Sequence, residues 1–233
     1  MRKKAASSAV IRDLKVDPLL VGADRTFLET FPRQAVLDSG ALPLRRYGGL
    51  GLVVVRSERD ADESLARLQK VSDVRLMAAL PLNEYGVELF LRYWDSAKKA
   101  APVPLIWMPE GRRAYLKRLG ELASIRGRAH PVAFLTSLLL TSPLNNQCPI
   151  MVMRVGNDGQ VLFLGGAGGL RMGLRFPGAW HADFVARLKL EFGMNGQETE
   201  GRGGEERGLN DLTALVLPPL ATETLILEPR GRR

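Results

Sequence analysis

Between residues 32 and 82 the apolar positions change period several times, and each change marks an element. Pro32 to Ser39 predicts a short helix closed by Gly40. The stretches ALPLRRY and LGLVVVR flank Gly48-Gly49, the pattern of two strands joined by a two-residue hairpin turn. From about Asp60 a second helix is expected, with Asp60, Asp62 and Glu63 at its positive end and Leu65, Leu68 and Val71 along one side. DVRLMAAL predicts a third strand. After Asn83, Val87, Phe90, Leu91 and Trp94 fall at i, i+3, i+4 and i+7 and predict a helix. The expected order is α-β-β-α-β-α, a compact two-layer unit.

Residues 96–105, SAKKAAPVPL, combine small residues, two lysines and two prolines, the composition of a linker. Beyond it GRRAYLKRLGELASIRGR places Leu116, Leu119, Leu122 and Ile125 along one side of a basic amphipathic helix. Pro131 opens an apolar helix to about Leu140. PIMVMRV, QVLFL and LRMGLRF predict strands, Trp180, Phe184 and Leu188 a helix, and LNDLTALVL and TETLILE two closing strands. GMNGQETEGRGGEERG, polar and glycine-rich, is expected to be a mobile loop over residues 193–208. The fold class is α+β: two small two-layer units, residues 1–97 and 107–233, joined by a linker at 98–106.

Composition narrows the chemistry. With 233 residues and 45% hydrophobic content the chain can bury a core without covalent staples. One cysteine, Cys148, and two histidines, His130 and His181, exclude a disulfide framework and a multi-cysteine or histidine-rich metal site, so no metal and no cofactor is expected. The net charge of +8 is spread over both halves, which argues against a dedicated nucleic-acid face. The basic opening MRKKAASS leads into no sustained apolar stretch, and FLTSLLLTSPL is too short and too polar to span a bilayer. A cytoplasmic protein is expected.

One motif invites a catalytic interpretation. VLFLGGAGGLRMGLRF breaks into Gly165, Gly166, Gly168 and Gly169, as a phosphate-binding loop would. A P-loop requires a lysine and then a hydroxyl after its last glycine. Counted from Gly168 the frame reaches Gly173, but Leu174 and Arg175 stand where those side chains belong. The dinucleotide fingerprint fares no better, since Arg171 occupies its third glycine position. A hairpin turn or bulge is the expectation. His181, beside Trp180, has no serine elbow, cysteine partner or convergent carboxylates to serve and is expected to be structural, and Cys148 a buried small apolar residue.

Residues 28–94 resemble the N-terminal domain of type II secretion and type IV pilus assembly ATPases. That family shows a proline-led helix, a "vlPL" strand, a turn, a "l.Va..dP" strand, a helix leading to a further strand, and a last helix ending in an aromatic pair. Here those features fall at Pro32, Leu42-Pro43-Leu44, Leu52-Val53-Val54, Val74 and Tyr93-Trp94. The second half is similar, more faintly, to the domain preceding the motor in the same ATPases. PVAFLTSLLLTSPLNNQCPIMVMRV, FVARLKLEFGMN and LNDLTALVLPPLATETLILE keep the family order, but Cys148-Pro149-Ile150 lacks the family's acid and histidine. VLFLGGAGG lacks its arginines. The sequence ends at Arg233, where those ATPases continue into the P-loop motor.

The resemblance implies two non-motor domains acting as a non-enzymatic adaptor, docked on a platform or motor protein of a secretion or pilus machine, in the cytoplasm at the inner membrane. It places the glycine run in the turn of a sheet hairpin. Arg45, Arg46 and Tyr47, at the expected hairpin tip, are the candidate partner contacts. Arg112, Arg113, Lys117 and Arg118 on the basic helix suit an acidic partner or anionic lipid, or simply a solvated face whose leucines pack inward. The alternative is a regulatory protein responsive to cyclic di-GMP, although the RLGxxLVxxGLI repeats through which some family members bind it are absent.

Overall fold

The computed structural model describes residues 9–83, 87–88, 131–140, 148–165, 169–203, 212–217 and 223–229. Strand β1 (Ala9–Val16) leads into three short helices, α1 (Pro18–Val21), α2 (Arg25–Glu29) and α3 (Arg33–Ser39). The Asp17 and Asp24 carboxylates accept from the Leu19 and Thr26 amides and so start α1 and α2. Gly40, at φ 63°, ends α3 in the left-handed conformation that glycine adopts without steric cost. Strands β2 (Ala41–Tyr47) and β3 (Leu50–Val55) form the expected hairpin, followed by α4 (Ala61–Gln69) and β4 (Arg75–Pro81).

The second half contributes α5 (Pro131–Leu140), β5 (Ile150–Val155), β6 (Asp158–Gly165) and β7 (Gly169–Pro177). After a 3₁₀ turn at Gly178–Trp180 come α6 (His181–Glu191), β8 (Gly201–Gly203), β9 (Leu212–Leu217) and β10 (Thr224–Pro229). Of the helix expected after Asn83 only Val87 and Glu88 are described, and both are helical. Phe90, Leu91, Trp94, the linker and the basic helix lie outside the described residues.

Among the described residues all ten strands form one sheet, in the order β2-β3-β4-β1-β7-β6-β5-β10-β9-β8. The expectation of two separate layered units is not what the backbone displays, and the reason is β1, a strand that AVIRDLKV signals only weakly. It pairs parallel with β4 on one side and antiparallel with β7 on the other. The β7 contact is narrow: Lys15 opposes Arg175, Val16 opposes Leu174, and the Asp17 amide donates to the Gly173 carbonyl at 2.8 Å.

The two halves of the sheet differ in layering. All six residues of β3 are buried, as a continuous apolar run predicts for a strand covered on both faces, so the first half is not two-layered at its centre. From β5 through β10 one face is buried, with Ile150, Val152, Val161, Phe163, Leu174, Phe176, Leu225 and Leu227 all in the core, while the alternating residues are half-exposed. Helices α5 and α6 pack against each other, and Phe184 of α6 meets the Phe176 ring edge-on at 5.4 Å.

Candidate functional site

The β2–β3 hairpin end is a packing seam. Register shifts between Pro43 and Arg45, leaving Leu44 unmatched, and such a bulge resets which face the following residues occupy. Leu44 turns its carbonyl to the Asp24 amide at 2.6 Å, so α2 covers the sheet edge where Pro43 has no donor to offer. Arg45, expected at the surface, is 3% exposed and donates from Nη2 to the carbonyls of Val21 (3.0 Å) and Gly22 (3.1 Å), capping α1. Burial pushes its guanidinium below the ordinary arginine range, an effect partly offset by Tyr47 and Asp24.

Tyr47, also expected to be exposed, is 2% exposed and meets Phe134 of α5 edge-on at 5.8 Å, which ties the hairpin to the second half. Of the three candidates only Arg46 faces solvent. It donates from Nε to the Gly48 carbonyl at 2.9 Å and pairs with Asp73 at 3.3 Å. The trio therefore offers no aromatic anchor to a partner, and Arg45 and Tyr47 are corrected from contact residues to core residues. Arg112, Arg113, Lys117 and Arg118 lie outside the described residues.

A polar cluster that sequence periodicity did not signal sits under the second half. Lys189, on α6, is 1% exposed; its Nζ donates to the carbonyls of Gly196 and Glu198 and forms an ion pair with Glu223. His181, at the start of α6, is buried, and its Nε2 lies 2.9 Å from the Glu223 carbonyl. A carbonyl only accepts, so Nε2 carries the proton and Nδ1 is an acceptor with no hydrogen-bond partner among the described residues. Desolvation holds the His181 pKa below its ordinary value, against the opposing pull of the Glu223 carbonyl.

This cluster anchors the backbone after α6. The stretch expected to be a mobile loop is held through Gly196 and Glu198 and includes the edge strand β8, paired with β9. The apolar spacing of α6 gave no sign that Lys189 is buried, because its partners come from the following loop and from the residue before β10.

The glycine run closes the β6–β7 hairpin: Gly165 opposes Gly169 and Leu164 opposes Leu170. Residues 166–168 lie outside the described residues. Gly173, which the P-loop frame would have enlisted, has a packing role. A Cβ there would stand 2.3 Å from the Phe163 ring, at the bulge where β6 and β7 change register. Cys148 is buried, and burial raises its thiol pKa, which disfavours the thiolate. Among the described residues no group of three or more His, Cys, Asp or Glu could hold a metal ion, and no helix is long and apolar enough to cross a membrane. No protein-family model matches the chain, and no curated protein matches it.

Proposed function

We propose that the chain is a non-catalytic docking module of a type II secretion or type IV pilus machine, working in the cytoplasm at the inner membrane through a protein partner. The observation that supports this most is the succession α3, β2, β3, α4, β4 between Arg33 and Pro81. These elements follow the order of the ATPase N-terminal domain that this region resembles. The buried polar groups of the described residues serve packing: Arg45 caps a helix and Lys189 anchors a loop. The module needs no cofactor, and nucleic acid is not its partner.

Within this proposal residues 1–97 and 107–233 act as two units joined by 98–106, even though one sheet runs through both. The strand contact between them is two residue pairs wide, although a single hydrophobic core runs through both. Limited proteolysis should cut first within 98–106; a first cut elsewhere sinks the two-unit arrangement. Docking is tested by capture of the purified full chain on the cytoplasmic part of the platform proteins encoded in the same genome. Retention on one of them supports the proposal. Failure on all of them refutes it, as does ATP turnover that survives removal of contaminants. Saturable binding of labelled cyclic di-GMP, with no platform captured, would favour a regulatory role instead.

A further inference from the structure

From β7 to β8 one face of the sheet carries no helix among the described residues. Helices α5 and α6 pack together on the other face, where Phe184 meets Phe176. On the bare face the register sets Leu215, Ile226, Met151, Leu162 and Met172 in one unbroken row across β9, β10, β5, β6 and β7, all half-exposed, with Arg202 of β8 at its end. Two residues further along the strands runs a second row, Leu217, Thr224, Met153, Gln160 and Arg175, with Lys15 of β1 beyond it. Glu200, the residue before Gly201 of β8, extends this row past Leu217 and is exposed. Arg175 and Glu200 therefore stand at opposite ends of one row, and neither forms an ion pair with a described residue.

We propose that this face binds a second copy of the chain, sheet against sheet, about a two-fold axis parallel to the strands. Such an axis lays each row on its own reverse. In the first row Leu215 then stacks on the partner's Leu162, and Ile226 on the partner's Met151. In the second row Glu200 reaches the partner's Arg175, so each copy supplies the charge that the other leaves unmatched. This self-complementarity favours a second copy over an unrelated protein. Facing sheets whose strands run within about 30° of each other interdigitate their side chains in this way, and methionine adapts to an irregular surface. Six strands about 4.8 Å apart and about 20 Å long offer about 500 Å² per copy. The pair then buries about 1,000 Å², the lower end for a specific interface, which predicts micromolar association. The pairing requires no secretion or pilus component, so it stands or fails apart from the docking proposal.

The test is sedimentation equilibrium of the full chain across micromolar concentrations, where a reversible monomer–dimer equilibrium is expected. Met151→Lys puts a charge in the middle of the first row, twice per dimer, and should weaken association by about tenfold or more. The lysine stem lies along the sheet while its ammonium reaches water, so the urea midpoint of the monomer should not change. Arg175→Glu and Glu200→Arg should each weaken association by about threefold or more, and the two together should restore it, because the attraction returns with the signs exchanged. A monomer at every concentration overturns the proposal, and would mean that another stretch of the chain or another protein covers the face. A dimer indifferent to Met151→Lys overturns it by placing the contact elsewhere, and a charge exchange that fails to rescue overturns the two-fold arrangement.

Discussion

Arg45 holds its guanidinium against the Val21 and Gly22 carbonyls, and truncating it leaves both carbonyls in the core without that donor. Arg45→Met should therefore lower stability by about 2–4 kcal/mol, read from urea denaturation, since each abandoned buried acceptor costs about 1–3 kcal/mol. Arg45→Lys should recover only part of the loss, because the lysine side chain is shorter and its ammonium, more strongly hydrated than a guanidinium, costs more to bury. His181 makes a pH prediction. Its pKa is depressed in the folded state by desolvation, with Glu223 opposing and Arg154 assisting, so below the ordinary value of 6.5 the unfolded chain binds a proton that the folded chain resists. Stability from this residue is complete above that value and falls as pH drops through it. His181→Gln keeps a donor for the Glu223 carbonyl and cannot titrate. The difference in urea midpoint between the two proteins should shift in favour of the variant between pH 7.5 and pH 5.5; an invariant difference refutes the assignment.

At the scale of the element, β6 and β7 illustrate how a glycine can be required by packing where it resembles a phosphate motif. Gly173 leaves room for the Phe163 ring, which is itself fully buried, so neither partner can move into solvent. Gly173→Ala should cost about 1–3 kcal/mol through overpacking. The check is a thermal midpoint. A neutral outcome would mean that the bulge opens freely. Gly169, at φ 71° with nothing within 4 Å of its missing Cβ, is governed by backbone conformation instead. The helices were legible for local reasons: the spacing of Leu65 and Leu68 on α4, and of Phe184 and Leu188 on α6, reports the buried face directly. The hairpin turns were legible because Gly48 and Gly156 supply positive φ between apolar runs.

For the whole molecule the critical join is β1 against β7. Lys15 and Arg175 sit directly opposite each other there, and like charges across a strand pair destabilise. Lys15→Glu converts the pair to opposite signs and should stabilise the fold by about 0.5 kcal/mol, or about 1–2 °C in Tm for a chain of this size. The increment should shrink at high salt. A loss of stability would mean that the lysine serves an anionic group not provided by the strand pair. Tyr47 against Phe134 is the second join, and it consumes the aromatic that the hairpin pattern assigned to a partner.

What the sequence determined by itself is the type and order of the described elements from Arg33 to Pro81 and, β8 apart, of the main helices and strands from Pro131 onward. Periodicity, caps and turn residues act over a few positions, and the tertiary structure left them intact. Only the tertiary structure decided that β1 fuses the halves into one sheet and that the Leu44 bulge carries Arg45 into the core. It also decided that Lys189 reaches Glu223 across 34 residues to fasten a polar segment. Each of these depends on a partner distant in the chain, and a hydrophobic pattern records how a residue meets solvent, not which distant group it meets.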